Sequence, residues 1–220
     1  FHRGIKCLSL FFIDEVAKYR QYDKDGNALL GRYGEIFEQE YRAELLENQN
    51  MYDPEYMQYL NCIPVNKTHE GYFSIDPKTK RIKDSDEKKG AGSDDVSAYD
   101  LIMKDKERLL SLDPTYSPVR FIFSHSALRE GWDNPNIFQI CSLRQANSIS
   151  QKRQEVGRGL RLCVDNKGVR QDADTLQGQV QQINRLTVIA SEGYADFVND
   201  LQKNISEDLY DRPKVADIDY

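Results

Sequence analysis

The sequence is poor in the residues that build metal centres and disulfide frameworks. Its 220 residues include four cysteines, with no C-x-x-C pair among them, and three histidines that lie far apart. The cysteines stand mostly in apolar strings, which predicts buried, reduced thiols in a cytoplasmic protein rather than a disulfide framework. Because zinc sites need clustered cysteine or histidine ligands, we expect no metal-centred chemistry in this chain.

Long apolar runs are also missing. The longest, Cys7–Ile13, is strand-sized and much shorter than the roughly 18 residues of a membrane span, so we expect no membrane association. The chain opens at Phe1 with no initiator methionine and no secretory signal, and we expect it to be part of a longer polypeptide. Apolar residues nevertheless make up 39% of the sequence, which predicts a folded domain rather than disorder.

Positive charge is scarce overall but concentrated in one part of the chain. The formal net charge is −6, whereas the window 124–170 holds eight Lys and Arg residues against four Asp and Glu residues. This overall balance argues against a general nucleic-acid coat. A locally basic window in an acidic chain predicts an anionic ligand at that window.

Strand patterns and helical patterns alternate along the chain. Short, nearly continuous apolar runs predict strands over 5–13, 119–123, 137–143 and 186–190. Helical spacing and capping signals predict helices from Asp14 to the turn at 23–27 and over 33–49, 54–60, 97–110, 150–157 and 194–205. Buried strands separated by helices predict an α/β fold with a parallel sheet covered by helices on both faces.

The predicted domain is interrupted once. Residues 1–21 and 118–206 form the main α/β domain in this interpretation, and residues 22–117 form an α/β insertion. The insertion contains helices and a hairpin over 71–83, where short alternating segments flank a Pro-Lys-Thr-Lys turn. Residues 207–220 are predicted to be a C-terminal tail or a linker to another domain.

The first chemical motif is the polar stretch from Ser124 to Pro135, directly after a predicted strand. Ligands bind at the carboxyl ends of strands in open α/β sheets, so this loop lies where a site is expected. Ser124 and Ser126 offer hydroxyls to a phosphate, Gly131 permits close backbone approach, and Asp133 is an acceptor for a ribose hydroxyl. The alternative is a polar turn with a capping Asp and a packed Trp.

The second motif spans residues 151–161. Gln154, Arg158 and Arg161 stand four and three residues apart, so on a helix and its C-terminal turn they face one direction. Two converging guanidinium groups suit a polyanion such as a phosphate chain. Gly157 and Gly159 leave room for a ligand or for a tight helix end. The alternative is a solvated basic face.

In this order and spacing, the two motifs resemble motifs V and VI of the superfamily-2 helicase and translocase motors. The string LREGWDNP at 128–135 corresponds to motif V, and Gln154-x-x-Gly157-Arg158-x-x-Arg161 corresponds to motif VI. The sequences of the two motifs are most similar to those of the Res subunit of type III restriction enzymes. The resemblance covers 1–20 and 119–205, and it implies a RecA-like fold: the second motor domain of an ATP-dependent DNA translocase.

The resemblance also implies residue roles. Arg161 matches the arginine finger that reaches the γ-phosphate of ATP, with Arg158 beside it as a second catalytic arginine. Four further positions match residues that bind the nucleotide: Gln154, Gly157, Gly131 and Asp133. Ser126 and Arg129 fall near positions that contact the nucleic-acid backbone.

The implied partners lie largely outside this chain. No G-x-x-x-x-G-K-[ST] phosphate loop is present, and the FFIDE string at 11–15 imitates a Walker B strand without one. The resemblance therefore implies that ATP and Mg²⁺ bind at the interface with a missing N-terminal RecA-like domain, and we expect the isolated chain to be inactive. Double-stranded DNA and a modification or recognition subunit are the other implied partners.

Two alternatives remain open from the sequence. One is a motor domain of another superfamily-2 DNA helicase, from a type I restriction or repair system; the insertion and the FFID strand favour the type III family. The other is a non-catalytic α/β module that binds nucleic acid or a protein partner. The intact Gln154, Arg158 and Arg161 count against such a module.

Overall fold

The computed structural model describes residues 1–75, 79, 81–83, 107–125, 134–144, 149–189 and 196–203. Its strands are β1 (Leu8–Phe12), β2 (Arg20–Tyr22), β3 (Ala28–Leu30), β4 (His69–Tyr72), β5 (Ser74–Ile75), β6 (Ile82–Lys83), β7 (Phe121–Ser124), β8 (Ile137–Ser142) and β9 (Thr187–Ile189). Its α-helices are α1 (Arg32–Glu47), α2 (Pro54–Asn61), α3 (Ile149–Gly157), α4 (Ala173–Leu176) and α5 (Val180–Ile183), and residues 196–203 are also helical. Short 3-10 helices cover Val16–Lys18, Val65–Lys67, Arg108–Leu110 and Gln177–Gln179.

Five of these strands form one parallel sheet in the order β4-β7-β1-β8-β9. The central strand β1 is buried on both faces because its sequence is almost continuously apolar. Leu8, Leu10 and Phe12 enter one core cluster, while Phe11 and the following Ile13 pack in a second cluster. With its flanking helices, this sheet confirms the predicted α/β, RecA-like fold.

Helices α1 and α2 lie within the predicted insertion and pack onto the domain. Phe37 of α1 contacts the sheet through Phe121, with the ring centroids 4.8 Å apart. Its neighbour Ile36 is exposed. Helix α2 begins as predicted, because the Asp53 side chain accepts hydrogen bonds from the backbone N–H groups of Glu55 and Tyr56.

The insertion is not separate from the sheet. Residues 69–72 fall inside the range 22–117, yet they form β4 and pair with β7 in parallel. The predicted hairpin over 71–83 is right only for its second part, where β5 pairs with β6. The domain boundaries themselves stay predictions.

The predicted helix after Asp14 is wrong beyond its first turn. The 3-10 helix Val16–Lys18 ends where Tyr19 enters the core at 1% exposure, and β2 follows at once. Asp23 then closes the turn between β2 and β3 by accepting a 2.8 Å hydrogen bond from the backbone N–H of Asn27. The burial of the Tyr19 ring and the turn closed by the Asp23 side chain therefore outweigh the helical pattern of the sequence.

Two further expectations need correction, and two others concern residues that lie mostly or wholly outside the described part of the chain. Cys7 and Cys62 are exposed rather than buried, and all four cysteines are free thiols. Strand β9 was expected to be buried but lies at an edge of the sheet. Residues 207–220 and most of the predicted helix 97–110 lie outside the described residues. No helix within the described part of the chain has the length and apolarity to cross a membrane.

Candidate functional site

The carboxyl ends of the three central strands meet at one edge of the sheet. Phe12, Ser124 and Ser142 are in register at the ends of β1, β7 and β8. The backbone N–H of Leu143 donates to the carbonyl of Phe12 at 2.8 Å, which holds the strand ends side by side. Open α/β sheets bind their ligands at this edge. The residues that follow the strands are therefore the first candidates for a site.

The first predicted motif lies mostly outside the described residues. Ser126, Arg129, Gly131 and Asp133 belong to that stretch, and their predicted contacts stay predictions. Ser124 is described, and the expectation for it is wrong. It ends β7 and is 1% exposed, so its hydroxyl is not available to a phosphate.

The second motif forms a helix and a turn, as predicted. Gln154 is exposed on α3, which ends at Gly157, and the N–H of Gly159 then donates to the carbonyl of Val156 at 3.0 Å. A Cβ atom built at Gly159 would lie 2.4 Å from Cδ1 of Leu186, whereas one built at Gly157 meets no described atom within 4 Å. Gly159 therefore serves the tight helix end, and Gly157 leaves open space above the backbone.

The two motif arginines lie close enough to interact electrostatically. Arg158 is half-buried in the turn after α3, and Arg161 is exposed. Burial first, and the charge of Arg161 second, lower the pKa of Arg158 below its usual value, while Glu155 opposes the shift. Bringing two like charges together is unfavourable unless an anion offsets them. The arrangement is therefore suited to a multiply charged anion such as a phosphate chain.

A buried ion pair that the sequence analysis missed attaches α3 to the sheet. Arg144 follows β8 and donates from Nη2 to Oε1 of Glu155 at 2.5 Å and from Nε to the same atom at 3.2 Å. Its Nη1 donates to the backbone carbonyl of His125 at 2.6 Å. The side chains of Arg144 and Glu155 are 7% and 0% exposed. Sequence signals do not reveal this pair, because charged residues in a polar stretch are normally exposed.

A second missed contact holds the chain after Arg161. The side chain of Asn136, which is 0% exposed, donates to the carbonyl of Val164 and accepts from its N–H, both at 2.9 Å. Asn136 immediately precedes β8. It therefore fixes the segment that follows the second motif to the same sheet.

Asp14 follows β1 at this edge and forms an ion pair with Lys18. Its Oδ1 atom is buried without a hydrogen-bond partner among the described residues. Burial acts to raise the pKa of Asp14, but hydrogen bonds from Lys18 and from the backbone outweigh it and lower that pKa. Asp14, the first acidic residue of the FFIDE string that resembles a Walker B strand, is therefore already paired with a cation.

These features define a class: a RecA-like α/β domain whose arginine-bearing helix is tied to the carboxyl edge of its sheet. Comparison with known proteins then narrows the class. The chain is 46% identical over 166 residues to the Res subunit of the type III restriction-modification enzyme EcoP15I from Escherichia coli. It is 45% identical over 164 residues to the EcoPI Res subunit from Escherichia phage P1. It is 37% identical over 179 residues to the StyLTI Res subunit from Salmonella typhimurium.

These matches cover 73–76% of the chain and confirm its resemblance to type III Res subunits. The matched region is a Res-like, helicase-related region. The chain spans only 15–17% of the length of these relatives. No protein-family model matches the chain.

Proposed function

We propose that this chain is the second motor domain of an ATP-dependent DNA translocase, within the Res subunit of a type III restriction enzyme. The observation that carries the proposal is the pair Arg158 and Arg161 in the segment after α3, near enough for the charge of Arg161 to lower the pKa of Arg158. The Res-like sequence of the chain supports the same assignment.

In this mechanism Arg161 is the arginine finger. Closure of a first motor domain onto the sheet edge brings its bound nucleotide to the exposed guanidinium of Arg161, which offsets charge that develops on the γ-phosphate. Arg158 adds a second positive charge, and Gln154 orients the phosphate end. Gly157 allows close approach, since the space above it is open. Hydrolysis of ATP, in which the γ-phosphoryl group is transferred to water, powers movement.

The residues at the end of α3 fit the phosphate end of ATP better than its metal ion. Guanidinium groups bind phosphate oxygens, whereas Mg²⁺ needs oxygen ligands. Glu155, the acidic residue of α3, forms an ion pair with Arg144. We therefore assign Mg²⁺ to residues of the first motor domain.

The DNA and protein partners follow from the same proposal. Ser126 and Arg129 contact the backbone of double-stranded DNA, and Gly131 and Asp133 link that contact to the nucleotide. A modification subunit supplies site recognition, and the complex works in the cytoplasm. Without a phosphate loop, the isolated chain does not turn over ATP.

The test is the ATPase activity of the full-length protein with and without DNA, comparing wild type with Arg161→Ala. Loss of an arginine finger lowers turnover by about 10³–10⁵-fold. Arg170→Ala is the control, because it removes an exposed charge from the same basic window. Unchanged turnover in Arg161→Ala would refute the finger, and DNA binding by a protein without ATPase activity would favour a non-catalytic module.

A further inference from the structure

We propose that Arg144 is a positioning residue that couples the DNA-facing loop to the arginine finger. The inference rests on the proposed function and goes beyond it. It assigns a role to a residue outside both sequence motifs.

The geometry of one guanidinium group carries the inference. Arg144 donates to the carbonyl of His125, on the chain leaving β7, and to the carboxylate of Glu155 on α3, at 2.6 and 2.5 Å. Its guanidinium carbon also lies 5.4 Å from the centroid of the Phe12 ring on the central strand. A single planar group therefore bridges the loop, the helix and the sheet.

The two bridged residues stand next to the two predicted sites in the sequence. His125 directly precedes the loop 126–133, which holds the predicted DNA and nucleotide contacts. Glu155 lies three residues before Arg158, on the helix α3 that ends at Gly157. A displacement of the chain at His125 that pulls on Arg144 therefore acts on the helix that directly precedes the two arginines.

Burial makes this link stiff. With 7% and 0% exposure, the Arg144 and Glu155 side chains are largely shielded from the solvent that could replace a broken contact. Moving one partner alone leaves a buried charge uncompensated, which is strongly unfavourable. We therefore expect a displacement of the chain at His125 to be passed through Arg144 to α3.

The competing interpretation is that the pair only stabilises the fold. The two interpretations separate because a buried ion pair is often replaced by apolar residues at little cost in stability. The double variant Arg144→Met/Glu155→Leu then retains a stable domain but has no fork to join His125 to α3. Arg144→Lys retains a charge but not the planar fork that bonds in two directions.

The experiment measures the ratio of DNA-stimulated to basal ATPase turnover, together with the melting temperature, in the full-length protein. Arg144→Met, Arg144→Lys and the double variant are compared with wild type. We expect the ratio to fall at least about fivefold in all three, in the range of ordinary allosteric coupling. Arg42→Met is the control, because it removes an exposed arginine from an ion pair with Glu38 on α1 and leaves the ratio unchanged.

The double variant decides the outcome even if the single variants do not fold. A low ratio at a wild-type melting temperature supports coupling. A ratio that recovers together with the melting temperature overturns it, as does a wild-type ratio in Arg144→Met. Arg161→Ala in the same assay keeps the two proposals distinct: if it abolishes turnover while the Arg144 variants behave as wild type, only the coupling role fails.

Discussion

The chain after Arg161 depends on one buried amide, and this dependence gives a quantitative prediction for Asn136→Leu. Asn136 acts as a short piece of backbone, since its side chain pairs with both the N–H and the carbonyl of Val164. A leucine of similar size leaves both groups without partners, at about 1–3 kcal/mol for each. We expect the segment 163–171 to open more easily, because its hydrogen bonds between Cys163 and Gln171 and between Asp165 and Val169 lose their anchor.

Hydrogen exchange measures this opening locally in the full-length protein, where a single free energy of unfolding is not defined. If only one of the two groups of Val164 loses its partner, the cost of about 1–3 kcal/mol should already raise the exchange rate of the Gln171 amide by roughly 5- to 150-fold. Asn27→Leu, in the exposed turn between β2 and β3, is the control and leaves the 163–171 segment protected. Wild-type protection of Gln171 in Asn136→Leu would refute the anchoring role. We also expect lower ATPase turnover, because the finger lies three residues before Val164.

Three other substitutions test the core and the helix end. Burial first, and the charges of Arg120 and Arg108 second, lower the pKa of Lys6 to about 7, so above that pH the unfolded chain binds more protons than the folded one. In the full-length protein, the contribution of Lys6 should raise the local stability of β1, measured by hydrogen exchange, by about 1.5 kcal/mol between about pH 7 and pH 8.5, and Lys6→Met should lose this rise. Gly159→Ala should lower the melting temperature, because its Cβ atom clashes with Leu186. Gly157→Ala should spare the melting temperature but lower ATPase turnover; lost stability in Gly157→Ala or an unaffected Gly159→Ala would contradict these roles.

The elements that sequence patterns predict well are those set by local chemistry. The apolar run of β1 encodes burial on both faces, and the Asp53-Pro54 pair encodes the start of α2. The glycines and arginines of the second motif likewise predicted that α3 ends at Gly157 and that Arg158 and Arg161 follow in the turn after it. In each case the deciding interaction lies within a few residues of the chain.

What the sequence could not supply depends on contacts between distant positions. Arg144 reaches back 19 residues to His125, and Asn136 reaches forward 28 residues to Val164. Neither residue belongs to a motif, and polar side chains give no signal that they will be buried. The assignment of β4 to the insertion failed to anticipate its place in the sheet for a related reason, because parallel pairing with β7 joins segments about 50 residues apart.

The surroundings of Arg158 and Arg161 favour an anion-binding site over a solvated basic face. A solvated face keeps its charges apart and in water, whereas Arg158 is half-buried with Arg161 near enough to lower its pKa. Both conditions work against the charged form of Arg158, and such arrangements concentrate at functional sites. The carboxylate that opposes the shift, Glu155, is itself bonded to Arg144. Under the proposed function, the phosphate chain of a nucleotide bound by another domain would bring further negative charge to these two arginines.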